Sequence, residues 1–198
     1  MKRGKLFIVS GPSGVGKSTV LNALLKQRDN LCFSVSATTR PARDGEHNGV
    51  HYHFLDVDTF QDWISRGEFL EYAEYVGNFY GTPKRFVDEA EASGKDVILD
   101  IEIHGALQVK WKRPEAVSIF IAPPSWEELE HRLVARGTDS AEKIQKRLLR
   151  AKVEFQTAHE YDYYVINDAV ENAVRELNAI ITAEHCKPKE RMEVVRGR

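Results

Sequence analysis

Apolar positions along the chain fall into short unbroken runs separated by stretches of helical spacing. Lys5 to Ser10, Asp96 to Ile101, Val117 to Ala122 and Tyr163 to Ile166 are each strand-length and apolar, and each is followed by a helical pattern. Ser18 to Lys26 opens the first of these helices. Ser125 before Trp126-Glu127-Glu128 and Ser140 before Ala141-Glu142-Lys143 read as helix caps, with acids near the positive end of the helix dipole. Such alternation predicts a parallel sheet wrapped by helices.

Two stretches break the pattern. From Phe33 to about Pro83 the chain reads as hairpins: Cys32 to Ala37, Val50 to Phe54, and Phe69 to Tyr80. Gly45, Gly49, Gly77 and Gly81 punctuate them. This predicts a small β-rich insert after the first helix. Ser125 to Gln156 is the second departure, helical and charge-rich.

Composition narrows the class. A chain of 198 residues fits one domain, or one domain carrying an insert. With 28 basic and 30 acidic residues the net charge is −2, which speaks against a bulk nucleic-acid binder. The 42% hydrophobic fraction is that of a folded chain rather than a disordered one. Two cysteines, Cys32 and Cys186, make no disulfide framework and suit a reducing interior. The apolar runs are too short to span a bilayer, and Met1-Lys2-Arg3-Gly4 does not open a secretory signal. A cytoplasmic protein is expected.

The turn after the first strand carries chemistry. Gly11-Pro12-Ser13-Gly14-Val15-Gly16-Lys17-Ser18 fits the phosphate-loop pattern G-x-x-x-x-G-K-[ST]. The glycines let successive N–H groups turn toward one anion, and the helix that follows adds its positive end. Lys17 is placed to reach the outer phosphates and Ser18 to ligate Mg²⁺, with Thr19 next in the nucleotide-binding set. A chance match in a chain this long has odds of about one in a hundred, and the flanking strand and helix lower them further. Asp100, ending the run Val97-Ile98-Leu99, is a second candidate Mg²⁺ ligand. No guanine-reading Asn-Lys-x-Asp of a GTPase occurs, and the chain is too short for a motor ATPase. A kinase of a small acceptor fits best.

Beyond the loop, the chain resembles the guanylate kinase family. The resemblance rests on Phe33-Ser34-Val35-Ser36-Ala37-Thr38-Thr39-Arg40-Pro41-Ala42-Arg43-Asp44-Gly45-Glu46, on Tyr52-His53-Phe54, and on Gly77-Asn78-Phe79-Tyr80-Gly81-Thr82. Leu99-Asp100-Ile101-Glu102-Ile103-His104-Gly105 and Arg136-Gly137-Thr138 extend it, in family order, from about Leu6 to Asp168. It implies that Ser36, Arg40, Arg43, Tyr52 and Tyr80 hold the phosphate of GMP, and that Glu71, Thr82 and Glu102 read guanine. It also implies that Arg136 and Arg147, with Arg132, swing onto the phosphates as a lid, and that Asn167 lies on the ATP side, where Ala169 replaces a further acid.

Residue chemistry agrees with these roles. Guanidinium forks match phosphate geometry. A carboxylate accepts from guanine N1–H and its 2-amino group, whereas adenine would leave it facing a lone pair. Tyr72, Tyr75 and Phe79 are read as core of the insert. His51 and His53 alternate on a strand, but lack a third ligand at useful spacing and read as packing residues.

The expected fold is a three-layer α/β P-loop kinase with a parallel central sheet, a β-rich GMP-binding insert over about 34–87 and a helical lid over about 125–156. The core takes about 1–33, 88–124 and 157–198. Expected partners are ATP with Mg²⁺ and GMP, with no nucleic acid and no membrane, in a monomer or a homo-oligomer. A kinase of another small acceptor and a non-catalytic protein-interaction module are the alternatives; the Glu71, Thr82 and Glu102 set argues against the first and the intact phosphate loop against the second.

Overall fold

All four apolar runs are strands. The computed structural model describes residues 3–135, 137, 139–188 and 191–192. The strands are β1 (Leu6–Ser10), β7 (Asp96–Asp100), β8 (Val117–Ala122) and β9 (Tyr163–Ile166); β1 and β8 are buried along their whole length. Runs without polar alternation form strands covered on both faces. The chain divides into two compact units, Met1–Ser10 with Asp29–Ile119 and Gly11–Arg28 with Phe120–Arg198; β8 passes from the first into the second.

In the first unit the sheet order is β2 (Leu31–Phe33), β7, β1 and the start of β8. β7 runs parallel to both β1 and β2, with Ile8 opposite Leu99 and Val9 opposite Asp100. Asp100 therefore stands at the carboxyl edge of the sheet, where open α/β sheets bind ligands. Helices α3 (Lys84–Ala92) and α4 (Ile103–Lys112) pack on β7 and β1 respectively.

A second, four-stranded sheet has the order β4 (His53–Phe54), β3 (Ala37–Thr38), β6 (Asn78–Pro83), β5 (Phe69–Tyr75). Its β5–β6 hairpin turns on Val76 and Gly77, both at positive φ (49° and 73°), the backbone that a two-residue hairpin loop requires. The expected strand over Cys32 to Ala37 is in fact two. Leu31–Phe33 joins β7 in the large sheet, and Ala37–Thr38 pairs with β4 and β6 in the small one.

The insert also contains a helix that the hairpin reading did not foresee, α2 (Val57–Ser65). Asp56 caps it, accepting from the Thr59 amide at 2.7 Å. Its Phe60 fills the apolar centre with Ala37 and Phe69, the two rings stacked 4.4 Å apart. Phe79 packs against this cluster as expected, whereas Tyr72 and Tyr75 are 38% and 64% exposed and are not core. They sit on the part of β5 that carries on past the packed end of the hairpin, where its residues are exposed.

In the second unit, β9 lies beside β8, with the Asn167 amide donating to the Ala122 carbonyl at 2.8 Å. Helix α1 (Lys17–Leu25) packs on α7 (Val170–Glu184), and α5 (Trp126–Ala135) on α6 (Ala141–Gln156). Leu129, Leu133, Leu148 and Ala151 bury the α5–α6 seam. Ser125 and Ser140 cap these helices, as read from the sequence. No helix among the described residues is long and apolar enough to cross a membrane.

Candidate active site

The phosphate loop of the second unit is built by close packing on its outer side. A Cβ on Gly11 would lie 2.3 Å from the Ile121 carbonyl oxygen, and one on Gly14 would lie 2.7 Å from Leu133. Gly16 has φ 91° and would meet the Asn167 side chain at 2.7 Å. Gly11 is closed to a side chain by backbone contact, and Gly14 and Gly16 by their left-handed backbone together with close side-chain neighbours.

The Val15 carbonyl accepts from two donors, Asn167 Nδ2 at 2.7 Å and Arg132 Nη1 at 3.0 Å. Residues 12–19 and Arg132 line a hollow of about 380 Å³, with Lys17 and Ser18 at the start of α1. Asn167 is buried and its side-chain amide is committed to the loop.

Arg132 departs from the lid expectation. Its Nε donates to Glu128 at 2.7 Å and its Nη2 to the Asn167 carbonyl at 3.0 Å, beside the Nη1 bond to Val15. All three nitrogens are engaged, so Arg132 braces the loop while lining its hollow. Arg147 is different. Its Nη1 lies 3.3 Å from Ser13 Oγ and 3.2 Å from Asp139, whose buried carboxylate also takes Lys143 at 2.7 Å. Arg136 lies outside the described residues. Arg150 and Lys146 pair with Glu154 and Glu142 along the surface of α6.

In the first unit a cleft of about 370 Å³ gathers Ser36, Tyr52, Glu71, Tyr80 and Glu102, together with Asp100, His104 and Gly105. Glu71 is buried, and Thr82 donates its hydroxyl to one carboxylate oxygen at 2.6 Å. Burial pushes the Glu71 carboxyl up from its usual range, against the opposing pull of Thr82, Lys112 and His104. Glu102 stands at the N-cap position of α4 without a side-chain cap bond and is exposed.

On the other wall Tyr52 and Tyr80 meet edge to face, and the Arg40 guanidinium carbon lies 5.5 Å from the Tyr52 ring centre. Glu46 holds the loop that carries both arginines. One carboxylate oxygen accepts from Arg40 Nη2 at 2.8 Å and the other from the Arg43 amide at 2.8 Å; the Arg43 side chain is exposed. Those bonds, the Arg40 one first, bring the Glu46 carboxyl down to about 2.

The two histidines play separate parts. His53 stacks on Phe86 at 4.1 Å, and His51 accepts from the His47 amide. Glu46, Asp139 and the bracing role of Arg132 were not read from the sequence. The signal for Glu46 was its place three residues after Arg43 in a Gly-bearing turn, where a carboxylate reaches back to an amide.

A glycine-lined phosphate cradle after the first strand, on a parallel α/β sheet, defines a P-loop protein. The model of the guanylate kinase family matches residues 3–184. A guanylate kinase of Halalkalibacterium halodurans is 52% identical over 192 residues, covering 97% of this chain and 94% of the relative. One from Thermus thermophilus is 55% identical, covering 92% of this chain and 82% of the relative. Among solved structures, the crystal structure of guanylate kinase from Anaplasma phagocytophilum aligns with a TM-score of 0.72 at 36% identity, over 94% of this chain and 89% of that one. The chain belongs to the guanylate kinase family.

Proposed function

We propose that the chain transfers the γ-phosphoryl group of ATP to GMP, giving ADP and GDP. The observation that carries this reading is the Glu71 cleft. A buried carboxylate, steadied by Thr82 through one oxygen, faces a hollow whose walls supply Ser36, Tyr52 and Tyr80. Guanine offers two adjacent donors to such a carboxylate, and the hydroxyls and Arg40 suit the 5′-phosphate. Arg43 adds a second guanidinium to the acceptor phosphate, and Glu102 a second carboxylate to the base.

ATP takes the loop of the second unit. Its phosphates receive amides of the loop between Ser13 and Ser18 and the charge of Lys17, and Arg147, already beside Ser13, adds charge at the transferred group; Arg136 is proposed to join it. Mg²⁺ accompanies ATP and supplies charge screening when bound. Ser18, exposed in the loop hollow, and Asp100, exposed at the end of β7, are hard oxygen donors of the kind this ion takes. The GMP phosphate oxygen is already anionic, so the chain's own groups position and screen rather than abstract a proton. A reducing, cytoplasmic setting suits the two free cysteines.

A coupled assay of ADP release with GMP, AMP, CMP and UMP in turn tests this. Turnover is expected with GMP and at most weakly with the others. Turnover with AMP or CMP but not GMP overturns the base reading, and no turnover with any acceptor points to a binding module.

A further inference from the structure

Glu71 is not held by the cleft alone. The same stripe of α4 that begins at Glu102 grips β5 on both sides of Glu71. Residues 102, 105, 108 and 112 are spaced three, three and four apart, which places them on one helix face. Lys112 Nζ donates to the Phe69 carbonyl at 2.8 Å. Gln108 closes a two-way bridge to the Tyr72 backbone, donating to its carbonyl at 3.2 Å and accepting from its amide at 3.3 Å. Gly105 lies so close that a Cβ there would come 3.0 Å from Glu71 Oε2.

The strand needs this support. Its pairing with β6 slips between Phe69 and Glu71, so the ladder is irregular at the residue whose carboxylate must be placed. On the β6 side Gly81 fits as tightly, with a Cβ position 2.9 Å from the Glu71 carbonyl oxygen.

Resting on the GMP reading of this cleft, we propose that Gln108 and Lys112 are positioning residues for guanine selection. They fix the β5 backbone at Tyr72 and Phe69 so that the Glu71 carboxylate meets the base in one register with Glu102 at the head of the same helix. Selectivity then depends on Gln108 and Lys112, which do not line the cleft, as well as on the residues that do. The charge of Lys112 near Glu71 acts in the same direction, favouring the ionised carboxylate that guanine requires.

The test uses the full chain with GMP and with inosine monophosphate, which lacks the 2-amino group. Gln108→Ala and Lys112→Met are each expected to raise the KM for GMP about tenfold and to narrow the preference for GMP over inosine monophosphate, with the KM for ATP unchanged. Lys112→Arg keeps a donor for the Phe69 carbonyl and is expected to restore most of the preference. Glu71→Gln is the reference.

If Glu71→Gln leaves the preference unchanged, the base reading fails and this inference with it. If Glu71→Gln narrows the preference while Gln108→Ala and Lys112→Met do not, the base reading stands and the positioning role is wrong. A fall in melting temperature and in kcat with the preference intact likewise overturns it. Gln108→Ala removes only a surface bridge, so the test holds even if the Lys112 variant does not fold.

Discussion

Arg132 and Asn167 donate to the same atom, the carbonyl oxygen of Val15, and Arg132 also takes the carbonyl of Asn167. The phosphate loop is thereby clamped by one residue on α5 and one just past β9. An arginine spent in this way shapes the ATP cradle before any nucleotide arrives.

Arg132→Lys keeps the charge and loses the fork. Hydrogen bonds to charged groups are worth about 1.5–3 kcal/mol each, and Asn167 still holds Val15. The KM for ATP is expected to rise about tenfold with kcat nearly unchanged. Steady-state kinetics with ATP varied at saturating GMP decide it; a large fall in kcat with constant KM would make Arg132 a lid residue after all.

The Glu46 pairing gives a pH prediction. Its carboxyl stands at about 2 rather than 4.5, so what it contributes to the loop is complete above about pH 4.5 and is lost as the pH falls toward 2. Carbon-detected NMR is expected to show Glu46 titrating near 2, and Arg40→Gln should bring the midpoint back toward 4.5. Glu46→Gln should raise the KM for GMP and leave that for ATP alone; equal effects on both would remove Glu46 from the acceptor loop.

Lys17→Ala separates the two nucleotide sites. Turnover is expected to vanish, while GMP binding measured by calorimetry stays within about twofold of the parent. Loss of GMP affinity would contradict the assignment of the acceptor to the first unit's cleft.

Val76 holds a left-handed backbone at the hairpin turn, a conformation that costs a β-branched residue about 1–2 kcal/mol. Val76→Asn is expected to raise the melting temperature by about 2–4 °C for a chain of this size, with kinetics unchanged. No change, or a fall, would mean that the exposed valine is making contacts elsewhere.

Much of this architecture was written in local pattern. Strands β1, β7 and β8 are buried runs between turn residues, β9 is an apolar run at the sheet edge that leaves Tyr164 and Ile166 exposed, and Ser125 and Ser140 announce their helices. The loop from Gly11 to Ser18 is legible because each glycine answers a local backbone demand. Helix α2 was not read, although Asp56 before Val57 is a cap signal, because the glycines around it suggested hairpins.

The site was legible only where a residue acts through its own position in the chain. Arg132 reaches Val15 across 117 positions, and Gln108 reaches Tyr72 across 36. An arginine on a helix and a glutamine on a helix look the same in sequence whether they face water or brace a loop. Gly105 was the available hint, since a glycine inside a helix marks a close neighbour.

Asp139 has a consequence for how firmly nucleotide is kept. Its single negative charge is shared between Arg147 and Lys143, so a phosphate arriving there meets a surplus of positive charge but has to compete with a carboxylate for it. The gain from an anion beside Arg147 is then reduced by what the Asp139 contact was already worth. On the role proposed for Arg147, this competition loosens its grip on spent nucleotide and favours turnover over retention of product.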